Sequence, residues 1–361
     1  MKLIGKILVY LIWAVNWVIS LLLVFSCYGS LAAPMGQWPF ASLSGLAFPF
    51  LFIVNLLFLL FWLLLWRKGA LLPLITLLVC IGPTLKYCPM HLLAPRRAAD
   101  ADLTVVSYNT ESFGTRVNKE WSVNNPVLLH ALGFEADIIL IQETHANIVR
   151  AAKRDKDISA DYPYIETEST TSGQTCMSKF PIIHAETFYF EDSRNSCQYL
   201  RILLPTEDTL AVYNCHLQSN HLKKDELAEY RQFIEKPTDS THYRASKTVL
   251  KKLLESTSLR AGQARMIADM AGTETARYFI VCGDFNDTPF SFSHRLFDRF
   301  MNDAFSRSGV GPGITYHEYR LYYRIDHIFC SRNMTPLYTW VDRRNKDSDH
   351  YPVISKIKLV K

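Results

Sequence analysis

Sixty consecutive residues between Lys6 and Arg67 carry no charge, and this run limits what the first quarter of the chain can become. One membrane-crossing helix needs only about 20 apolar residues, so the run holds more than one. It divides at the turn-rich, mildly polar break Pro34–Pro39 into spans expected near 7–31 and 42–66. A third span near 69–87 contains Pro73 and Pro83, which neighbouring helices tolerate in a bilayer. A cleaved leader is the competing reading, given Lys2, Lys6 and the small residues around Ser30–Ala33. The apolar core, however, exceeds the roughly 7–15 residues of a leader's hydrophobic region. We therefore expect a permanent anchor of three transmembrane α-helices over residues 1–88, with the lipid bilayer as its partner.

Lys2, Lys6, Arg67 and Lys68 fall on one side of such an anchor. The positive-inside rule assigns that side to the cytoplasm and sends everything after about residue 90 to the other side; Lys86, Arg96 and Arg97 weigh against this. Trp13, Trp17, Trp38, Trp62 and Trp66 lie mainly toward span ends, as interfacial anchors would. No charge sits mid-span, which argues against an ion pathway and a transporter.

Charge divides the chain in the same place. Residues 1–98 hold seven of the 39 Lys and Arg and none of the 34 Asp and Glu, so the remainder carries 32 basic against 34 acidic residues, a net of −2. A domain gripping a polyphosphate backbone normally shows a basic excess, and this one has none overall. Cys215 and Cys282 read as buried apolar residues, whereas Cys176 and Cys197 could pair if the domain is extracytoplasmic. Neither a CxxC nor a Cys/His zinc spacing occurs.

After a linker over residues 89–102, the chain from 103 to 361 repeats one form: a short β-rich run that stops at a polar group suited to binding metal or moving protons. The runs are Leu103–Asn109, Ala136–Glu143, Leu210–His216, Val281–Pro289 (VCGDFNDTP) and Tyr323–Phe329, and a sixth segment, Ser348–Val353, puts Asp349 and His350 just before a final strand. Gly283 would let the backbone turn tightly beside a ligand, and Asp284 and Asn286 would stand at a strand's C-terminal end, where open sheets place their chemistry. One such group is usually structural. Six in series are not. Between His216 and the GDFN strand, residues 221–275 break near Pro237–Ser240. Val249, Leu250, Leu253 and Leu254, then Ala264, Ile267 and Ala268, recur at helical spacing. Packing helices are expected there; a basic helix facing the substrate or the membrane surface is the alternative.

In this order Asn109, Glu143, His216, Asp284 with Asn286, Asp326, and Asp349 with His350 resemble the signature blocks of the endonuclease/exonuclease/phosphatase superfamily, whose fold is that of deoxyribonuclease I. GDFNDTP and SDH look closest to its bacterial branch. The resemblance implies an α/β fold, a four-layer α/β/β/α sandwich, over about Leu103 to Leu359. With the anchor, it suggests an integral protein of the bacterial inner membrane with an extracytoplasmic catalytic domain.

Breaking a phosphodiester requires an in-line nucleophile, charge relief on the phosphoryl oxygens and a stabilised leaving oxygen. A hard divalent ion, Mg2+ with Mn2+ as a possible substitute, supplies much of that relief. By resemblance Glu143 is its anionic ligand, Asn109 offers an amide oxygen beside it and Asp349 joins the cluster. Asp284 is suited to orient or deprotonate water, and Asn286 to hold a phosphate oxygen or that water. His350 is the candidate to contact the phosphate, its tautomer fixed by a carboxylate that the resemblance identifies as Asp326. His216 resembles the second histidine, across the phosphate. Its acidic partner is not identifiable from sequence, Glu166 being a guess. His327 should point away from Asp326, since strand side chains alternate, and Gln218 and Asn220 line the cleft or cap its loop.

These motifs imply a membrane-anchored, Mg2+-dependent phosphoesterase acting on phosphodiester bonds, foremost a nuclease-type hydrolase. A phospholipid or sphingomyelin phosphodiesterase and a small phosphate-ester phosphatase are the alternatives, followed by a non-catalytic binding protein of the same fold. Nucleic acid and lipid head groups share the phosphate that the motifs contact. Loops 112–126, 144–161, 219–245 and 305–322 would set the choice. No protein partner is evident.

Overall fold

The computed structural model of the chain describes residues 2–32, 38–65, 68–114, 118–167, 173–191, 193–220, 240–318 and 321–360. Arg67, most of the Pro34–Pro39 break, the Pro237–Asp239 turn and most of the 219–245 loop lie outside them. α1 (Lys2–Ala32) is one continuous helix; α2 (Pro39–Leu43) and a 3-10 turn (Ser44–Ala47) lead into α3 (Phe48–Leu64). Gly5–Leu31 and Pro39–Leu64 are each long and apolar enough to cross a membrane. The third expected span is a broken pair, α4 (Leu71–Val79) and α5 (Ile81–Tyr87), bent by 55°. Pro83 accounts for the break, because a helical proline clashes with the carbonyl four residues earlier, which is Val79. Asn55 Nδ2 donates to Ser20 Oγ at 3.2 Å between α3 and α1, a polar contact within the apolar helices.

Two six-stranded sheets follow. The first has the order β11-β12-β1-β2-β4-β3, the second β5-β6-β7-β8-β10-β9. Their strands are β1 (Leu103–Asn109), β2 (Ile138–Gln142), β3 (Tyr164–Thr167), β4 (Thr175–Ser178), β5 (Ile182–Tyr189), β6 (Ser196–Leu203), β7 (Thr209–His216), β8 (Tyr278–Asp284), β9 (Asn302–Asp303), β10 (Asp326–Cys330), β11 (Met334–Val341) and β12 (Val353–Leu359). Each sheet holds one central parallel pair, β1 with β2 and β7 with β8, and is otherwise antiparallel. Side chains from the two inner faces, among them Val105, Ile138 and Leu140 against Val212, Ile280 and Cys282, form the core between the sheets.

Helices cover both outer faces. α6 (Pro126–Leu132), α7 (Ala146–Arg154) and α8 (Lys156–Asp161) bury Val127, Ile148 and Ile158 against the first sheet. α9 (Ser240–Gly272) and α10 (Phe292–Asp298) bury Ala264, Ile267 and Phe297 against the second. The result is the four-layer α/β/β/α sandwich. Asn125 accepts from Val127 N and Leu128 N at the start of α6, a side-chain cap followed by proline at the first helical position. α11 (Ala304–Ser308) is capped likewise by Asp303.

Three expectations change. The helices anticipated around 249–268 form one helix, α9. Cys176 lies between the sheets while Cys197 packs beneath the outer helices, so the two face different layers and do not pair; Cys197 Sγ instead lies 3.3 Å from Cys215 Sγ. The segment after residue 88 is no free linker, since Met90 bridges to Val310 and Gly311 N donates to Pro89 O at 2.8 Å.

Gly283 also serves a purpose other than the one expected. It sits inside β8 at φ +126°, and an added Cβ would lie 1.9 Å from Cys215 O of β7. A neighbouring strand, not a ligand, requires the glycine. Gly283→Ala is expected to cost more than ~3 kcal/mol, combining overpacking with backbone strain. Gly262→Ala, with open space around its Cβ and a better helix former in α9, should be neutral or mildly stabilising. Thermal melting of the two variants in detergent checks the contrast, and similar melting points for both would contradict it.

Candidate active site

Strand register builds the site. His216 is paired across β7 and β8 with Asp284, and Asp284 across β8 and β10 with Asp326, so three polar residues from distant sequence stand in one row at one sheet edge. In the other sheet Asn109 ends β1 beside Gln142, with Glu143 next in the chain. β12 runs antiparallel to β1, and the segment before it is held by Ser348 Oγ donating to Asn109 O at 2.9 Å. That bond brings Asp349 and His350 to the same edge.

The two sheet edges are tied through Asn109. Its Nδ2 donates to Glu143 Oε1 at 3.1 Å and to Asp284 Oδ2 at 2.9 Å, and its Oδ1 accepts from Glu111 N at 3.1 Å. The amide oxygen expected to face a metal is therefore engaged by the backbone, and the amide nitrogen draws two carboxylates together. His350 Nδ1 lies 2.8 Å from Asp326 Oδ2, and its Nε2 lies 3.7 Å from Asp284 Oδ2. His216 Nε2 is 3.7 Å from both Glu143 Oε1 and Asp284 Oδ2 and has no hydrogen-bond partner among the described residues. Glu166 is exposed on β3, so the acids nearest His216 among the described residues are Glu143 and Asp284. Asn286, at φ +51°, gives its N–H to Asp284 Oδ1 at 2.8 Å and its Nδ2 to Leu217 O at 3.1 Å.

Burial and charge set the protonation. Burial opposes charge on His350, but Asp326, Asp284 and Asp349 outweigh it and hold its pKa well above the ordinary histidine range. Asp284 is raised by burial, with His350 pulling the other way. Asp349 is pushed up to about 7 by burial and, against the pull of His350, by Glu111, Glu143 and Asp284. Such crowding of carboxylates is what a cation relieves.

Two groups of residues could supply metal ligands. Asp284, Asp326 and His350 offer atoms within 4.8 Å of one another, yet His350 Nδ1 and Asp326 Oδ2 already bond each other. Glu143, Asp349 and Glu111 form the oxygen-rich side that a hard cation prefers, and they are the better fit.

A cleft of about 710 Å³ contains Glu111, Glu143, His216, Asp284, Asn286, Asp349 and His350 together. Sequence reasoning missed Glu111, Tyr316, Arg260 and Asp287. Glu111 follows Asn109 by two residues at φ +45° and could have been suspected from that proximity. Tyr316, on a loop, packs its ring 5.1 Å from that of His350. Arg260 stands mid-helix with no local signal; it is buried and donates to Gln218 O at 2.9 Å and Asn220 Oδ1 at 2.8 Å, while its Nε lies 3.5 Å from Asp287 Oδ2. Gln218 and Asn220 are thus held by Arg260. His327 points away from the row, as strand alternation requires, and shares its Nε2 proton with Asp287 O at 2.9 Å.

A family model described as the Endonuclease/Exonuclease/phosphatase family matches residues 106–350, more than half of the chain. The chain belongs to that family. As a member of the endonuclease/exonuclease/phosphatase family it is a hydrolase acting on phosphate ester bonds. A second family, of unknown function, matches residues 8–87. Nothing among curated proteins matches the chain. Similar solved structures include an endonuclease/exonuclease/phosphatase from Beutenbergia cavernae DSM 12333, at 15% identity over 72% of each chain with a TM-score of 0.51. A mannosyl-6-phosphatase from Bacteroides thetaiotaomicron is 19% identical over 71% of this chain and 99% of its own, TM-score 0.46. D. rerio TDP2 complexed with single strand DNA product is 13% identical over 71% of this chain and 98% of its own, TM-score 0.47. These likenesses are of fold.

In metal-free protein, the proton on His350 should persist above pH 6.5, the ordinary histidine value. Removing one of three negative neighbours weakens the attraction, so Asp326→Asn moves the titration to lower pH. Histidine-selective NMR in EDTA reads this directly, and an unmoved His350 midpoint would contradict the electrostatic account.

Proposed function

We propose that the chain is a membrane-anchored, Mg2+-dependent phosphodiesterase. The observation that carries the reading is His350 held by Asp326 at 2.8 Å and facing Asp284 at 3.7 Å, in one cleft with Glu111, Glu143 and Asp349. Mg2+, for which Mn2+ can substitute, would be held by Glu143 and Asp349 with Glu111 beside them, Asn109 holding Glu143 through its amide nitrogen, and would neutralise the phosphoryl oxygens.

Every other task falls to side chains of the row. His350 donates through Nε2 to a non-bridging oxygen of the phosphate, with Asp326 accepting from Nδ1, orienting the ring and balancing its charge. Asp284 orients the attacking water and takes its proton; its raised pKa makes it a better base than a solvent-exposed carboxylate. The Asn286 N–H holds Asp284 in that orientation. His216, with Nε2 unpartnered, faces the phosphate from the second side and donates to the leaving oxygen.

Nuclease-type cleavage, the foremost expectation from sequence, gains no support from the cleft lining. Arg260 is the one Lys or Arg among the described lining residues, and it is engaged by Asp287, Gln218 and Asn220. Residues 1–88 act as the anchor, 89–102 as a docked connector and 103–361 as the catalytic domain. The domain packs on the end of the helices remote from Lys6 and Lys68, which favours an extracytoplasmic site in a bacterial inner membrane. Protease added to spheroplasts should remove the domain, and complete protection would reverse the orientation.

Full-length protein in detergent should hydrolyse p-nitrophenyl methyl phosphate with Mg2+ and lose that activity in EDTA. Glu143→Gln and His350→Ala should each lower kcat by about 10²-fold or more, in line with the loss of one catalytic electrostatic group, with melting points measured to confirm folding. Turnover indifferent to EDTA or to His350→Ala would overturn the proposal.

A further inference from the structure

The catalytic cleft has two unlike ends. One carries the carboxylates and histidines of the row; the other is lined by Leu43, Leu46 and Phe50 from the anchor, Val249 and Leu253 from α9, and Leu321. The membrane segment is thus part of the active-site wall.

That wall is fixed to the catalytic loops. Phe292 N donates to Ser42 Oγ at 2.9 Å, and Tyr323 Oη donates to Leu46 O at 3.3 Å. A Cβ on Gly45 would lie 2.8 Å from Phe290 Cβ and 2.9 Å from Thr288 Oγ1, so the turn before α3 is pressed against the loop that leaves Asp284. Phe48, Tyr87 and Phe290 close the joint, with ring centroids 4.6 to 5.5 Å apart.

From the wall an apolar path leads into the region of the bilayer. Phe50, Ile53, Leu57, Leu60 and Leu64 are exposed by 65, 55, 57, 48 and 80%, and their spacing puts them along one face of α3. At 1.5 Å per residue the stripe runs about 21 Å, more than half of a roughly 30 Å hydrocarbon core. Its upper end, Phe50, belongs to the cleft. An extended polyanion would find no unengaged lysine or arginine among the described lining residues, whereas one phosphate joined to an apolar chain matches both ends.

We propose that the substrate is a membrane glycerophospholipid whose phosphodiester enters the His350 end of the cleft while its acyl chains lie along Leu43, Leu46, Phe50 and the exposed face of α3. The proposal rests on the phosphodiesterase reading above and names its substrate class. In the reaction the oxygen of water bonds to phosphorus, one ester P–O bond breaks, and the released alcohol oxygen takes up a proton, with no redox change.

The test uses the full-length protein in detergent with Mg2+ and a series of p-nitrophenyl alkyl phosphates. From methyl to dodecyl, kcat/KM is expected to rise at least tenfold. Leu46→Ser combined with Phe50→Ser should flatten that rise, bringing the dodecyl-to-methyl ratio of kcat/KM within about twofold of one, with melting points measured to confirm folding. Mixed micelles of phosphatidylethanolamine, phosphatidylglycerol and phosphatidylcholine should yield water-soluble phosphate product or diacylglycerol faster than plasmid DNA or RNA is nicked at equal phosphate concentration. Turnover of the methyl ester without chain-length preference and without lipid hydrolysis overturns the lipid assignment and leaves the phosphodiesterase standing. Faster cleavage of nucleic acid overturns it as well. No turnover even of the methyl ester overturns the underlying reading.

Discussion

The register of three strands is the constraint on which the site depends. Because β7, β8 and β10 place His216, Asp284 and Asp326 directly across from one another, a slip of one residue in either pairing would turn a member of the row to the opposite sheet face. Gly283 guards that register. The close approach of the Cys215 carbonyl leaves no room for a side chain, so β7 and β8 reach this separation only with glycine at that position. The row and the His350 that joins it cost free energy to assemble, since two carboxylates and two histidines are taken from water. The His350–Asp326 pair and the Asn109 amide recover part of it by giving each buried charge a partner.

Much of this was legible in the sequence, for a physical reason. The central parallel pairs send the C-termini of β1, β2, β7 and β8 to one edge, and the antiparallel neighbours β10 and β12 bring their N-terminal ends to it, so polar groups at these ends of β-rich runs meet. Asn109, Glu143, His216, Asp284, Asn286, Asp326, Asp349 and His350 could therefore be collected without any knowledge of distance. Arg260 could not. It lies in the middle of a 33-residue helix, where a basic residue is normally solvated, and only the path of α9 over the β7 and β8 ends buries it. The amide orientation of Asn109 was hidden for a different reason, being decided by the Glu111 N–H, which bonds it only because the backbone after β1 turns through positive φ. The Cys176–Cys197 pairing failed because neighbours along the sequence can occupy different layers of a sandwich.

The anchor was legible as three apolar spans but not as a component of the site. Hydropathy reports what a segment avoids and is silent on what its ends touch. Ser30 Oγ donates to Phe290 O and Arg295 donates to Cys27 O, while the Lys86 ammonium meets Asp298 at 2.6 Å. Lys86 O also accepts from Arg324 Nη2 at 3.0 Å and from Ser306 Oγ at 3.1 Å. Lys86, which counted from sequence against an extracytoplasmic domain, is thus committed to holding that domain in place. Its charge has an acidic partner on the protein and need not be read as a cytoplasmic signal.

These contacts give the anchor more than a tethering role. Phe290 lies six residues beyond Asp284, on the loop whose first residues orient the proposed base, and its ring packs on Phe48 at the head of α3. A domain cut free at residue 99 would keep the polar row, because every member of it lies after that point. It would lose Leu43, Leu46 and Phe50 from the cleft and expose the Phe290 side chain that the N-terminal helices cover. The polar row and the apolar wall of the cleft therefore reside in different parts of the chain, joined across one packed interface.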